Sequence, residues 1–313
     1  MSPVHGLVRF SVKQLDRLET AITRVDATRD IEAVHALRVA SRRLNEPLEL
    51  IGESRGRKRC KKLIGSLRKL RNAVRDVRDM DVLMMALTGA DRGHLSDAEG
   101  VAKLQGTLAI MRENKLLDAR KTIRRLDPEN LREKASALLK ECDRGESRKR
   151  AKRLLSSSRK QWVRKAEALL ERPPAREHGA GVHKVRIRLK ALRYSTELMS
   201  RLDGENREAL LSQFEAMQDR LGAWNDHFSA ARLLTQIASD EDTSASDPLW
   251  SSQILQYAAR RVRAMGDELE GILLAWPRLR AVIETHLPGR VQSEVWNAAR
   301  PVAADTKFAL ERV

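Results

Sequence analysis

The sequence predicts an all-α chain made of two similar antiparallel helical bundles that arose by internal duplication. Three observations point there. Apolar residues recur at helical spacing through nearly every segment, with no strand-like alternation of useful length. Turn-forming clusters fall at corresponding places in the two halves, TGADRGHLSD at 88–97 and the stretch from Asp240 to Pro248. A histidine-anchored basic helix occurs twice, as VHALRVASRRLNEPLEL from Val34 to Leu50 and VHKVRIRLKALRYSTEL from Val182 to Leu198. The copies align without a gap at an offset of 148 residues. The alignment pairs His35 with His183, Arg38 with Arg186, Leu44 with Leu192 and Glu49 with Glu197, and Arg42/Lys190 keeps the charge.

The elements follow in order. Leu7 to Val25 is an amphipathic helix, and Asp26 and Asp30 are start signals for the first histidine helix. Pro47 lies inside that helix and should kink or end it. A third helix is expected from about Arg57 to Leu87, with Leu63, Leu67, Leu70, Val74 and Val77 as its apolar stripe. After the loop at 88–97, two helices are split near Asp127-Pro128. The stretch from Ser147 to Glu171 is the second half's counterpart of the first helix, with a charge-dense start from Arg148 to Arg153 that reads as a solvated helix end. RPPAREHGAG, Arg172 to Gly181, breaks the chain before His183. Gln218 to Leu234 corresponds to the third helix. The halves are 1–146 and 147–313, within one domain of 313 residues.

Charge bounds the partners. Sixty basic residues against 43 acidic ones leave a formal net charge of +17, which favours a polyanion: nucleic acid, inorganic polyphosphate or an anionic membrane surface. Aromatics are 4% of the chain, which weakens models that stack bases. Cys60 and Cys142 lack metal-type spacing, so neither a zinc site nor a disulfide framework is expected and a reducing cytoplasm fits. MSPVHGLVRF reads as neither signal peptide nor anchor, and no segment has the apolar length to span a bilayer.

At about 100° per residue, His35, Arg38 and Arg42 share one stripe, apart from Leu37, Leu44 and Leu48. His183, Arg186, Lys190 and Arg193 do the same, apart from Val185, Leu189 and Leu192. The histidines therefore sit with the cations. In the third helix Arg68, Arg71, Arg75 and Arg78 also share a face, whereas its counterpart keeps only Arg220 with Asn225 and Asp226. Closely spaced arginines suit phosphate because the guanidinium fork gives two parallel hydrogen bonds. Lysine supplies a point charge, and imidazole donates from a ring nitrogen. The expected contact set is His35, Arg38, Arg42, Arg43, Arg71, Arg75, Arg78, His183, Arg186, Lys190 and Arg193, with Arg112 and Arg120 added from one helix at i and i+8.

These motifs resemble the CHAD family, the conserved histidine α-helical domains. The resemblance rests on H-x-x-R-x-x-x-[RK] in both halves and on Arg78-Asp79-Met80-Asp81-Val82. It rests also on Leu192-Arg193-Tyr194 with Glu197, and on Leu221-Gly222 followed by Asn225-Asp226. It runs from about residue 7 to residue 300. The resemblance implies two four-helix bundles related by a pseudo-twofold axis, with a basic groove or pore between them that binds inorganic polyphosphate. It also implies association with polyphosphate granules; the triphosphate-hydrolysing CYTH domain fused to some members is not visible here. Asn45 and Ala191 stand where the family is often basic, and Arg75 where glycine is common.

Polyphosphate binding, as a scaffold or granule-associated factor without cofactor or catalytic activity, is the expected function. Nucleic-acid binding is a second reading from charge alone. A metal-dependent phosphohydrolase using Asp76, Asp79 and Asp81 is a third. The plainer reading of those aspartates is that they orient neighbouring arginines, because a catalytic metal cluster needs several convergent carboxylates. Oligomeric state is not fixed by the sequence.

Overall fold

The computed structural model describes residues 2–54, 56–88, 98–144, 147–175, 179–240 and 245–288. Among the described residues the chain is all-α, with ten long helices and no strand. They are α1 (Pro3–Ala27), α2 (Ile31–Ser54), α3 (Arg57–Ala73), α4 (Arg75–Thr88) and α5 (Ala98–Arg125). There follow α6 (Pro128–Asp143), α7 (Arg148–Leu170), α8 (Gly179–Asp203), α9 (Glu208–Ala238) and α10 (Pro248–Thr285).

Local chemistry sets the helix starts. Asp30 accepts the Glu32 amide at 2.8 Å, as its position before α2 suggests. Asp127 takes φ 50° and accepts the Asn130 amide, so α5 and α6 part where Asp-Pro predicts. Ser147 and Asp247 accept the amides of Arg150 and Trp250 in the same manner. The charged start of α7 is largely exposed, as expected. Parts of the two loops matched between the halves, 89–97 and 241–244, lie outside the described residues.

One expectation is narrowed and one needs correction. Pro47 does not end the first histidine helix, since α2 continues to Ser54. The proline removes one backbone donor, but its ring is buried and the apolar residues after it, Leu48, Leu50 and Ile51, anchor the last turns in the core. The third helix is not continuous. Val74, at φ −99° and ψ 14°, separates α3 from α4. Leu63, Leu67 and Leu70 pack into one core, whereas Met80, Leu83 and Leu87 pack into another. The turn at Val74 lets the two segments serve both.

The apolar residues gather in three cores. The first joins α1, α2, α3, α6 and the C-terminal half of α5 with Val77 of α4, and it also takes in Leu154 of α7 and Leu198 and Leu202 of α8 from the second half. The second joins α7, α8, the first part of α9 and the C-terminal part of α10. The third is shared between the halves: Met80, Leu83 and Leu104 pack with Leu234, Ile254 and Tyr257. Polar contacts add to this joint. Lys165 of α7 ion-pairs with Glu46 and, at 3.0 Å, with Glu49 of α2, and Arg164 pairs with Glu53. Cys60 and Cys142 are buried free thiols.

Candidate functional site

α2 and α8 pack against one another, and their basic stripes meet at the contact. Leu37, Leu44 and Leu48 are buried on α2, which turns His35, Arg38 and Arg42 away from the core. Val185, Leu189 and Leu192 are buried on α8, which does the same for His183, Arg186 and Lys190. Both histidines reach solvent but are partly covered by the junction, so neither is a core residue.

The charges of the two halves act on one another directly. Arg42 stands at the centre: its charge is felt by Arg38 and Arg71 in its own half, and by His183, Arg186 and Lys190 in the other. Burial, then Arg186, Arg42 and Arg38, push Lys190 down to about 7 against the opposing pull of Asp226. Burial and then Arg42 bring Arg38 down to about 10, and burial with Arg42 and Arg68 does the same to Arg71. Arg186 is lowered chiefly by burial and Arg42. His35 is held below the ordinary imidazole value by burial, Arg78, Lys190 and Arg38, with Glu32 opposing. His183 is lowered by burial and by Arg186, Arg75 and Arg42, although a hydrogen bond to Asn225 favours its charged form. Its Nδ1–H donates to Asn225 Oδ1 at 3.2 Å, which leaves Nε2 for a ligand.

Concentrated positive charge of this kind is costly without an anion. Among the described residues no carboxylate forms an ion pair with Arg38, Arg42, Arg71, Arg75, Arg78, Arg186 or Lys190. Some of these make neutral contacts. Arg38 donates to the Arg71 carbonyl at 3.0 Å, Arg71 to the Ser41 carbonyl at 3.2 Å, and Arg75 to Asn72 Oδ1 at 2.8 Å. Arg78 Nη1 and Arg186 Nε are buried nitrogens without a hydrogen-bond partner. The break at Val74 places Arg71 on α3 and Arg75 and Arg78 on α4, yet the charges of all three act on members of the cluster.

Arg43 and Arg193 are placed differently. Both pair with Glu197, at 3.4 and 3.3 Å, and Arg193 also reaches Glu215 and Gln218. They form a neutralised border rather than an open charge. Arg112 and Arg120 belong to the fold. Arg112 is 8% exposed, pairs at 2.5 Å with the fully buried Asp81, and donates to the Arg29 carbonyl. Arg120 donates to the carbonyls of Val25 and Thr28.

The aspartates orient cations. Asp81 holds Arg112, while Asp79 acts on Arg38 and ion-pairs at 3.4 Å with Arg232. Asp226, at the corresponding place in the second half, acts on Arg186 and Lys190. Burial pushes the Asp79 carboxyl up, with Arg38 and Arg232 opposing. Among the described residues no three His, Cys, Asp or Glu side chains gather as a metal site. The sequence reading missed Arg232, which has no counterpart in the other half. It also missed the Lys190 titration, which depends on neighbours from another helix.

Fold and cluster together define a class: all-α proteins in which two histidine-bearing basic helices line one junction. A model of the CHAD domain matches residues 12–235, and the chain belongs to the CHAD-domain family. Its fold is similar to that of the CHAD domain from the plant Ricinus communis, with a TM-score of 0.66 at 20% identity, over 90% of this chain and 93% of that one. It is also similar to PptA from Streptomyces chartreusis, with a TM-score of 0.62 at 16% identity, over 88% of this chain and all of that one. No curated protein matches the chain. No helix among the described residues is long and apolar enough to cross a membrane.

Proposed function

We propose that the junction of α2 and α8 binds inorganic polyphosphate and that the protein acts as a binding module, in keeping with what the resemblance to CHAD domains implies. One observation carries this reading: the charge of Arg42 acts on cations of both halves, and among the described residues no carboxylate ion-pairs with it. Such a centre needs an anion with closely spaced negative charges. A linear polyphosphate supplies about one per unit and presents no bases that would require stacking. The pseudo-twofold relation of the halves, expected from duplication, gives such a chain equivalent cations on both sides. Asp79 and Asp226 position guanidinium groups in this reading, and the site performs no hydrolysis. Attachment to polyphosphate granules would follow from the same affinity.

The test is competition between long-chain polyphosphate and duplex DNA at matched charge, across a range of salt. Polyphosphate should win, and its affinity should fall steeply with salt as counterions are released. Preference for DNA would overturn the assignment of ligand. Phosphate release in the presence of Mg²⁺ or Mn²⁺ would overturn the non-catalytic role.

A further inference from the structure

α3 carries a cationic face that the junction does not account for. Its sequence from Arg57 to Ala73 contains no acidic residue. At 100° per residue, Arg57, Lys58, Lys61, Lys62, Arg68 and Lys69 fall within an arc of about 140°. All six are exposed, and none forms an ion pair among the described residues. The acids at this edge are already engaged. Arg59, on the opposite side of α3, takes Glu141; Arg164 takes Glu53; and Lys165 takes Glu49. Arg57, Lys58, Lys61 and Lys62 line one shallow, open stretch of this surface. Above Gly65, midway along the arc, a Cβ would meet nothing within 4 Å, so the face is open.

The first turn of α3 also breaks a local rule. Arg57, Lys58 and Arg59 sit at the positive end of the helix dipole, where acids are preferred, and Gly56 offers no side-chain cap. The arrangement is electrostatically unfavourable in isolation and would be relieved by an external anion. The arc also leads somewhere. Arg68 acts on Arg71, and Arg71 is acted on by Arg42. Positive charge, with no acid of α3 to break it, therefore leads from the start of α3 to the junction over about 21 Å of helix, in two clusters separated by Gly65.

We propose that the outer face of α3 is a track along which a linear polyphosphate too long for the junction continues, so that the protein discriminates by chain length. This rests on the proposed function. The junction would hold a short segment, and the α3 face would add contacts only for chains that project beyond it. Those added contacts are solvent-exposed and lysine-rich, so they act through counterion release rather than fixed geometry.

The test compares three full-length proteins: unaltered, a track variant (Lys58→Gln, Lys61→Gln, Lys62→Gln, Lys69→Gln), and a control (Lys13→Gln, Arg17→Gln, Lys115→Gln, Lys134→Gln). The control removes the same charge from exposed positions on α1, α5 and α6. Glutamine keeps helix propensity, so both variants should fold. Binding of a short oligophosphate, of long-chain polyphosphate and of duplex DNA is measured against salt. The track variant should lose about tenfold in long-chain affinity with a shallower salt slope. It should bind the short chain as the unaltered protein does, and the control should change neither. Equal losses in the track variant and the control would overturn the track in favour of net charge. Unchanged long-chain affinity in the track variant, with short-chain binding intact, would overturn the track alone. No binding of either chain by the unaltered protein would overturn the junction as well. A track variant that loses DNA binding but not long-chain polyphosphate would reassign the face to nucleic acid.

Discussion

Arg42 and Arg112 are both arginines on long helices of the first half, and among the described residues only Arg112 ion-pairs with a carboxylate. Arg112 reaches Asp81 at 2.5 Å inside the protein, while Arg42 forms no ion pair among the described residues and its charge bears on Arg38, His183 and Lys190. The same contrast separates Arg43 and Arg193, which share Glu197, from Arg38 and Arg186. A guanidinium with a fixed carboxylate holds helices together. One without it stores repulsion that an arriving anion can relieve. Sorting arginines by their partners therefore separates structure from function more sharply than sorting them by helix face.

The largest expected effect tests the structural side of the contrast. Arg112→Ala leaves Asp81 buried without its partner and should destabilise the fold by about 3–5 kcal/mol, read from denaturant unfolding. Polyphosphate affinity of the protein that remains folded should be unchanged. If affinity fell while stability held, Arg112 would belong to the site after all.

Arg42→Ala should do the reverse. It removes a charge-assisted contact worth about 1.5–3 kcal/mol, so affinity should fall roughly tenfold to a hundredfold. The thermal midpoint without ligand should hold or rise, because Arg38, Arg71, Arg186 and Lys190 lose a repulsive neighbour. A clear fall in the midpoint would mean that Arg42 supports the fold.

A smaller effect distinguishes the two histidine helices. Where α2 has Arg42, α8 has Lys190, which titrates near 7. Without ligand, Lys190 is about half neutral at pH 7, and His35 and His183 are mainly neutral. Bound phosphate favours the charged form of all three. Binding should therefore take up protons and strengthen as pH falls from about 8 to about 6. Calorimetry in two buffers of different ionisation enthalpy reads the uptake. Lys190→Arg should remove most of it at pH 7.5, and His35→Gln with His183→Gln should reduce what is left near pH 6. An undiminished uptake in Lys190→Arg would place the titrating group elsewhere.

The smallest effect concerns stability without ligand. The pKa of Lys190 is lower folded than unfolded, so between about 7 and the ordinary lysine value of about 10.4 the unfolded chain holds more protons. Stability should rise with pH across that window through Lys190, so the advantage in stability that Lys190→Gln has near pH 7 should shrink as the pH rises. Parallel stability curves would remove Lys190 from the set of strained cations.

The all-α class and most helix starts were legible in the sequence, because Asp30, Asp127 and Ser147 act through bonds to amides two or three residues away. The convergence of the two histidine helices was legible through the repeat. Less was legible where partners come from distant helices. Arg112 shares α5 with other cations, and only the fold brings Asp81 of α4 to it. The break at Val74 is likewise a tertiary effect, since the apolar stripe runs through it to Val77 in the first core and passes into the third core at Met80, Leu83 and Leu87. The third core, built by both halves, has no local signature.

The central claim is that cations from both halves form one polyanion site. Isothermal titration with a short oligophosphate tests it directly, using the unaltered protein, Arg42→Ala and Arg186→Ala. The account predicts one ligand per chain and a loss of at least about tenfold in affinity from either substitution, with folding intact. Two ligands per chain with each substitution removing one, or unchanged affinity in either folded variant, would contradict it.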